Sequence, residues 1–321
     1  MKKTALALLL ISALSSCAQN QKNMNNSLKD LYKTVQYKDK AIEYRANIQV
    51  GACDFELFIN DIPVEQYFGN VDGTFNTSTP INDAILKAGP QRWKLVLYPG
   101  YRNNNLTTSL SPNVFLEIEI EGLKHNPQGV ETIAGPITLI NTPQRKDENG
   151  KDIYLEAGKP TAVYEGTFNA DVPYTLRGWS ESADLRKENQ DQLLKEVLAF
   201  YQKYSGYYAH KDITAIMNTV HDKEKERAQY FFQDAAGLQE TYEDYTEFMS
   251  FPSPKVLPIE HYRLRFYGDG KVVTLERNDF PNIGEPVTRI VYNDENGKPV
   301  TEFMYGYLHR QKSGMPLEMI R

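Results

Sequence analysis

The chain has 321 residues and a net formal charge of −6, with 24% charged and 12% aromatic residues. This mild acidity excludes the basic surface that nucleic acid or anionic lipid would need, so neither is an expected partner. A mature length of about 300 residues predicts two globular domains.

The first residues have the pattern of a secretory signal. Lys2 and Lys3 precede an apolar run over residues 5–14, which Ser12 alone interrupts. The run is too short to span a bilayer as a helix, and a basic start before a short apolar core is typical of a signal peptide that is removed. We therefore predict that residues 1–16 are absent from the mature chain.

The four residues that close this segment, Leu14-Ser15-Ser16-Cys17, resemble the lipobox of bacterial lipoproteins. The resemblance implies that Cys17 is acylated, becomes residue one after cleavage, and anchors the protein to a membrane. Several acyl chains hold a protein firmly, whereas one chain binds only marginally. The alternative is an ordinary signal peptide cut near Ala18, in which Cys17 is incidental.

The residues after Cys17 predict where the protein is held. We interpret residues 17–37 as the lipidated cysteine and a flexible tether, because Asn, Gln and Ser dominate residues 18–28. The second mature residue is Ala18 and not Asp, which by resemblance to enterobacterial sorting favours the outer membrane. The tether lacks the early acidic cluster associated with surface display, so we expect the protein to face the periplasm.

Cys53 is the only cysteine that remains after lipidation. An internal disulfide, a cysteine zinc site and a redox pair are therefore excluded. Because Cys53 sits among strand-like residues, we predict a buried and inert thiol. A reactive thiol is the alternative, and it would need an accessible, electropositive setting.

Residues 38–180 predict an antiparallel β-sandwich. Apolar residues alternate with polar ones from Ile42 to Val50, again from Cys53 to Ile59, and over residues 116–121. Period-two alternation is typical of half-buried strands, and many short strands between turn residues favour a sandwich. The arrangement is loosely similar to the accessory β-sandwiches of secreted bacterial proteins. The string DENG at residues 147–150 predicts a hairpin turn.

Three glutamates, Glu117, Glu119 and Glu121, lie on one face of the clearest predicted strand. Carboxylates two residues apart on a strand are separated by about 6.5–7 Å, so three in line could hold Ca²⁺. Calcium sites usually gather their ligands from a curved loop, however, and a solvated sheet face is the simpler interpretation.

Residues 181–321 change character and begin with helices. A helix capped by Ser180 or Ser182 is predicted from an apolar stripe with spacings of three and four residues. The members of the stripe are Leu193, Val197, Tyr201, Tyr204 and Tyr208. A shorter helix over residues 212–220 and another over residues 223–251 follow, and prolines then end the helical part.

Strands are predicted from residue 259 onward, with hairpin turns at residues 268–270 and 294–297. Helices followed by antiparallel strands make the chain α+β overall. The element order over residues 187–321 resembles the cone-shaped fold of the nuclear transport factor two-like proteins. The resemblance implies helices packed in the hollow of a curved sheet, often around an interior pocket, in proteins that are enzymes or simple binders.

An aromatic pocket is the predicted ligand site of this second domain. Residues 303, 305, 307 and 309 are predicted to share one strand face, with tyrosines of the helical stripe opposite them. Convergent hydroxyls in an apolar hollow suit a small molecule, although an aromatic core would have the same pattern. The ligand-binding candidates are Tyr204, Tyr208, Tyr262, Phe303 and Tyr305, and the candidate catalytic acid or base is Tyr307 or His309.

One further cluster could bind a metal. His210, Asp212 and His221 lie close in sequence, although a turn between them opposes a shared helix face. The chain carries no Gly-rich phosphate loop, no Gly-x-Ser-x-Gly elbow and no His-Glu-x-x-His motif. We therefore expect no cofactor.

The sequence favours a cell-envelope lipoprotein that works as a non-enzymatic binding module. Its partner would be a periplasmic protein or a small ligand, and one version is a toxin-immunity or chaperone-like protein that uses the acidic helical residues 240–247. The alternatives are a cone-fold isomerase, cyclase or hydrolase, a small-ligand binder with an aromatic pocket, and a glycan-binding β-sandwich.

Overall fold

The computed structural model describes residues 28–69, 73–251, 254–294 and 296–321. The predicted signal peptide, the lipobox with Cys17 and most of the predicted tether lie outside the described residues. Over the described part of the chain the fold is mixed α+β, with three α-helices and antiparallel sheets. None of the helices in those ranges is long and apolar enough to cross a membrane.

The first half of the described chain, residues 43–175, consists mainly of strands. Alternation of buried and half-exposed side chains along residues 116–121 confirms the predicted strand there. The strands are β1 (Glu43–Gly51), β2 (Asp54–Ile59), β3 (Ile62–Tyr67), β4 (Thr74–Pro80), β5 (Lys87–Tyr98), β6 (Tyr101–Arg102), β7 (Asn105–Leu106), β8 (Phe115–Asn126), β9 (Gly129–Asn141), β10 (Gln144–Lys146), β11 (Asp152–Tyr154) and β12 (Ala162–Thr175).

The long strands of this half form two four-stranded sheets in the orders β4-β1-β8-β9 and β12-β5-β2-β3. Every pairing within them is antiparallel. Apolar side chains of both sheets, such as Ile48 and Ile118 of the first and Phe55 and Leu97 of the second, enter one hydrophobic cluster. The hairpin predicted at the first DENG string is confirmed, since β10 and β11 pair across it.

The second half begins with three helices, which are α1 (Gln190–Ala209), α2 (Ile213–Tyr230) and α3 (Ala235–Thr246). The predicted apolar stripe is confirmed, because all five of its residues are buried in α1. The predicted serine cap is wrong: the Asn189 side chain accepts the hydrogen bond of the Gln192 amide and begins α1. The predicted short second helix is also wrong, since α2 continues to Tyr230 on a buried face.

The strands of the second half are β13 (Lys255–Val256), β14 (Tyr262–Tyr267), β15 (Val272–Arg277), β16 (Arg289–Asn293), β17 (Pro299–Phe303), β18 (Leu308–His309) and β19 (Glu318–Met319). They form the sheets β14-β15-β18-β19 and β13-β16-β17. Both predicted hairpins are confirmed by the β14–β15 and β16–β17 pairings. The shared face predicted for residues 303–309 is wrong, because β17 and β18 belong to different sheets.

The last part of the predicted tether is packed and not free. Leu28 and Leu31 are 0% and 4% exposed and lie in the same hydrophobic cluster as the α1 stripe. Gln36 exchanges hydrogen bonds with the side chain of Gln229 on α2. Leu28, Leu31 and Gln36 therefore belong to the packed part of the fold.

A buried network of charges joins the two halves. Glu56 of β2 is 1% exposed, and its Oε1 lies 2.7 Å from Arg265 Nη2 of β14. Tyr98 of β5 donates its hydroxyl to Glu56 Oε2 at 2.6 Å. Arg265 Nε also lies 3.8 Å from Glu276 of β15, which accepts the hydroxyl of Tyr267. Because these charges are shielded from solvent, each depends on its partners for stabilisation.

Candidate functional site

A cleft of about 390 Å³ lies between the helices and the residues around the end of β17. We call it the tyrosine cleft. Helices α1, α2 and α3 supply one side, and residues 302–305 supply the other. Its volume lies in the range of small-ligand pockets in proteins.

Two tyrosines of α1 form the floor of the tyrosine cleft. Tyr204 and Tyr208 are four residues apart, so they lie on the same helix face, and they are 2% and 5% exposed. Their hydroxyl oxygens are 3.1 Å apart, and their rings meet edge to face at 5.2 Å. Phe248, just after α3, packs on Tyr208 at 4.8 Å between ring centroids. The floor is therefore an aromatic surface with two hydroxyl groups.

A buried glutamate lies beside this aromatic floor. Glu224 of α2 is 1% exposed and accepts the hydroxyl of Tyr245 at 2.7 Å. Lys223 Nζ lies 3.4 Å from its Oε1, and Arg227 Nη1 lies 3.5 Å from its Oε2. Burial by itself would raise the pKa of Glu224, but the two cations and the tyrosine hydrogen bond outweigh burial and lower it. Glu224 is therefore an ionised carboxylate whose charge is balanced by Lys223 and Arg227, and it fixes the position of the Tyr245 hydroxyl.

The tyrosine cleft also has an excess of negative charge near Glu302. Glu302 accepts a hydrogen bond from the hydroxyl of Tyr292 at 3.1 Å. Partial burial raises the pKa of Glu302, and the nearby carboxylates Glu247 and Asp244 raise it further. A ligand with a hydrogen-bond donor or a positive group facing Glu302 would relieve this repulsion.

The tyrosines of the cleft are hydrogen-bonding groups and poor bases. Burial raises the pKa of Tyr204, Tyr208 and Tyr245, so all three hydroxyls stay protonated near neutral pH. A protonated phenol both donates and accepts a hydrogen bond. The arrangement is suited to recognising the shape and polar groups of a bound molecule.

Four of the five predicted ligand-binding residues lie together here. Tyr204, Tyr208, Phe303 and Tyr305 all line the tyrosine cleft. Tyr262 does not line it. This residue lies at the start of β14 and packs against the hydrophobic cluster that contains the α1 stripe. Side-chain periodicity located the helical pair, and the aromatic residues at and just after the end of β17 located the other two.

Sequence reasoning missed the charged part of the cleft. Val220, Glu224 and Ala228 follow one another at intervals of four on α2, and all are buried. A glutamate at the centre of an otherwise apolar row is a sign of a buried, paired carboxylate. The row could not be recognised from the sequence, because the helix was predicted to end at residue 220 and the three residues were placed in two different helices.

The two candidate catalytic residues lie apart and do not share a site. Tyr307 lines a different cleft, which shares Tyr305 with the tyrosine cleft. His309 is 5% exposed, and its Nδ1 lies 2.7 Å from the hydroxyl of Ser182. Burial lowers the pKa of His309, so the imidazole is neutral near pH 7. Neither cleft is lined by His309, which leaves its predicted acid–base role without a substrate site.

The sequence favoured no metal site, and the three residues considered as possible ligands do not come together in one. His210 donates through Nδ1 to the carbonyl of Gly206 at 2.7 Å, and Asp212 caps α2 by accepting the amide of Ala215. His221 Nδ1 lies 3.2 Å from Asp222 Oδ1. Within the described ranges, no group of three or more His, Cys, Asp or Glu side chains is placed to hold a metal ion.

The remaining sequence candidates have structural partners. Cys53 is 2% exposed, which confirms the predicted buried thiol, and burial raises its pKa to about 12. On β8, Glu121 accepts from Asn47 at 2.9 Å and Glu119 accepts from Thr138 at 3.0 Å. Two of the three glutamates proposed for calcium are thus engaged across the sheet with neutral side chains.

No protein-family model, no curated protein and no solved structure matches the chain.

Proposed function

We propose that this chain is a lipid-anchored protein of the bacterial cell envelope that binds a small molecule in the tyrosine cleft without chemical conversion. The lipobox-like residues ending at Cys17 support the anchor, and Ala18 after it favours the outer membrane. The lack of an early acidic cluster after Cys17 favours the periplasmic face. Packing of Leu28 and Leu31 against the helices would leave about ten residues as the tether.

The proposed architecture is a β-sandwich followed by a cone-like α+β domain. Two four-stranded sheets that share one hydrophobic cluster support the sandwich. Helices that share the other cluster with strands β15 and β16 support the cone, whose hollow would be the tyrosine cleft.

A single observation carries the proposal of ligand binding. Four aromatic residues that are up to 101 positions apart in sequence line one cleft of about 390 Å³: Tyr204, Tyr208, Phe303 and Tyr305. Glu224, whose charge is balanced by two cations, lines the same cleft. An aromatic surface with a few fixed polar groups is the usual composition of a small-molecule site. The protonated tyrosines favour binding over acid–base catalysis.

The anchor is tested by replacing the lipobox cysteine. With Cys17→Ser, we expect the protein to leave the membrane fraction and to lose labelling by a palmitate analogue, because its only acylation site is removed. Cys53→Ala is the matched control and should keep both properties, since that thiol is buried. Membrane retention and labelling of the Cys17→Ser protein would contradict the lipoprotein proposal.

The ligand site is tested on protein extracted from membranes in mild detergent. Native mass spectrometry is expected to find a retained small molecule, and Phe303→Ala should reduce its occupancy about tenfold, because the variant removes one aromatic wall of the cleft. Tyr208→Phe should reduce occupancy less, since only a hydroxyl is lost. Phe115→Ala, at a 40% exposed phenylalanine on β8, is the matched control and should change nothing.

Two results would contradict the small-molecule proposal. One is equal occupancy in the wild type and in Phe303→Ala. The other is a stoichiometric protein that is retained in place of a small molecule, which would favour a protein partner and the acidic residues of α3.

A further inference from the structure

A second cleft of about 520 Å³ lies where the two halves of the molecule meet. Strand β3 supplies one wall, and the loops after β15 and β17 supply the other. We call it the Arg321 cleft. It is separate from the tyrosine cleft, although Tyr305, which is 61% exposed, borders both.

Four residues that line this cleft each carry a buried side-chain polar atom that has no hydrogen-bond partner among the described residues. These atoms are Gln66 Oε1, Asp83 Oδ1, Glu285 Oε2 and Arg321 Nη2. A buried polar atom without a partner costs about 1–3 kcal/mol, and native proteins carry few of them. Because all four residues line one cleft, these atoms would gain partners if a ligand in the cleft drew them toward it.

The side chains of Arg321 and Gln66 are each held in place by their other atoms. Arg321 is 4% exposed at its side chain, and its Nε donates to the carbonyl of Asp83 at 2.9 Å. Its Nη1 donates to Glu226 at 2.7 Å, and the rings of Trp179 and Tyr230 lie 5.0 and 5.2 Å from the guanidinium carbon. The Arg321 guanidinium is therefore held in place beside the cleft, which lowers the entropic cost of binding.

Gln66 is fixed in the same way from the opposite wall. Its Nε2 donates to the carbonyl of Gly284 at 2.7 Å, which orients the amide and leaves Oε1 as an acceptor. The cleft thus offers three acceptor side chains and one charged donor. Tyr305 and Tyr307 add aromatic surface between them.

The charge at the cleft argues against an anionic ligand. Glu65, Asp83 and Glu285 line it against the single guanidinium of Arg321, which already pairs with Glu226. Burial raises the pKa of all three carboxyls, that of Asp83 to about 6. An ammonium group would suit the carboxyls but has no acceptor for Arg321 Nη2.

A hydroxyl group both donates and accepts, so a row of hydroxyls satisfies the acceptors and the guanidinium together. The C–H faces of a sugar ring also pack on tyrosine rings. We propose that the Arg321 cleft binds a neutral polyhydroxylated ligand of the carbohydrate class, distinct from the occupant of the tyrosine cleft.

The proposal is tested on the full chain in detergent by tryptophan fluorescence, because Trp179 packs against the Arg321 guanidinium. The probes are maltotriose, cellotriose and diacetylchitobiose, with spermidine and citrate as charged comparators. At least one neutral sugar is expected to change the emission saturably. Glu285→Ala and Gln66→Ala should each weaken that binding about tenfold, since each removes one hydrogen-bond acceptor.

Matched variants separate this site from others. Glu285→Gln keeps an acceptor and should bind within about threefold of the wild type. Glu131→Ala, at an exposed position on β9, should have no effect. Phe303→Ala should also leave sugar binding unchanged, so failure of this proposal and failure of the tyrosine cleft are distinguishable.

Three results would overturn the proposal. One is that no neutral sugar binds at concentrations up to about 10 mM. Another is that only spermidine or citrate gives a saturable change. The third is that sugar binding survives in both folded variants, Glu285→Ala and Gln66→Ala, with folding checked by their thermal unfolding midpoints.

Discussion

Replacing Glu56 with alanine is expected to lower the free energy of unfolding by about 3–5 kcal/mol. The reason is the buried network between the two halves, where Glu56 pairs with Arg265 at 2.7 Å and accepts the hydroxyl of Tyr98 at 2.6 Å. Alanine would leave the guanidinium without this partner at a site where the glutamate is 1% exposed. Equilibrium unfolding in urea measures the loss.

Controls for this variant come from the same protein. Glu56→Gln keeps the side-chain shape and one acceptor, so its cost should be smaller than that of alanine. Asp152→Ala breaks an ion pair with Lys146 whose side chains are 51% and 64% exposed, and it should cost less than about 1 kcal/mol. A double-mutant cycle with Arg265→Ala isolates the pair. A loss below about 1 kcal/mol for Glu56→Ala would show that the network does not hold the halves together.

Asp54→Asn is expected to make the protein more stable than the wild type, and increasingly so as the pH rises. Asp54 is 1% exposed, its Oδ1 accepts the amide of Gly69 at 3.1 Å, and burial raises its pKa from 3.8 to about 7. The folded state therefore keeps a proton that the unfolded chain releases. The stabilisation that protonated Asp54 contributes is fully present below pH 3.8, and it is lost as the pH rises through about 7.

Asparagine does not ionise, so this loss is absent in the variant. The difference in unfolding free energy between Asp54→Asn and the wild type should widen by about 2–3 kcal/mol from pH 5 to pH 8 and then level off. Urea unfolding at several pH values measures it. Asp39→Asn, at an exposed aspartate, is the control substitution for the change of side chain. A flat difference for Asp54→Asn would show that this carboxyl is ionised in the folded protein below pH 5.

Much of the secondary structure is predictable because its pattern is local. The alternation along β8 and the spacing of the α1 stripe each reflect the repeat of one element, and both match the observed burial. Strands β3 and β4 were missed because turn residues such as Asn60 and Asp61, which have positive φ angles, dominate their surroundings. The length of α2 was missed because its charged middle has little apolar periodicity.

The candidate sites were predictable only in part. The Tyr204 and Tyr208 pair follows from helical spacing, and Phe303 and Tyr305 stand out as aromatics near the end of the chain. Tyr307 and His309 were assigned to the same surface as Phe303, but the chain leaves one sheet after Phe303 and joins another at Leu308. A change of sheet depends on distant strands, so a period-two count could not reveal it.

Features that depend on neighbouring residues can be predicted from the sequence alone: the lipobox-like segment, the strands and helices with clear periodicity, the DENG turns and the acidic charge. Which polar groups meet depends on how distant parts of the chain pack. Gln66 and Gly284 are 218 positions apart and form one hydrogen bond, and Glu56 and Arg265 are 209 apart and form one ion pair. Such contacts arise because burial of apolar surface fixes the packing, while polar atoms must then find partners within it or await a ligand.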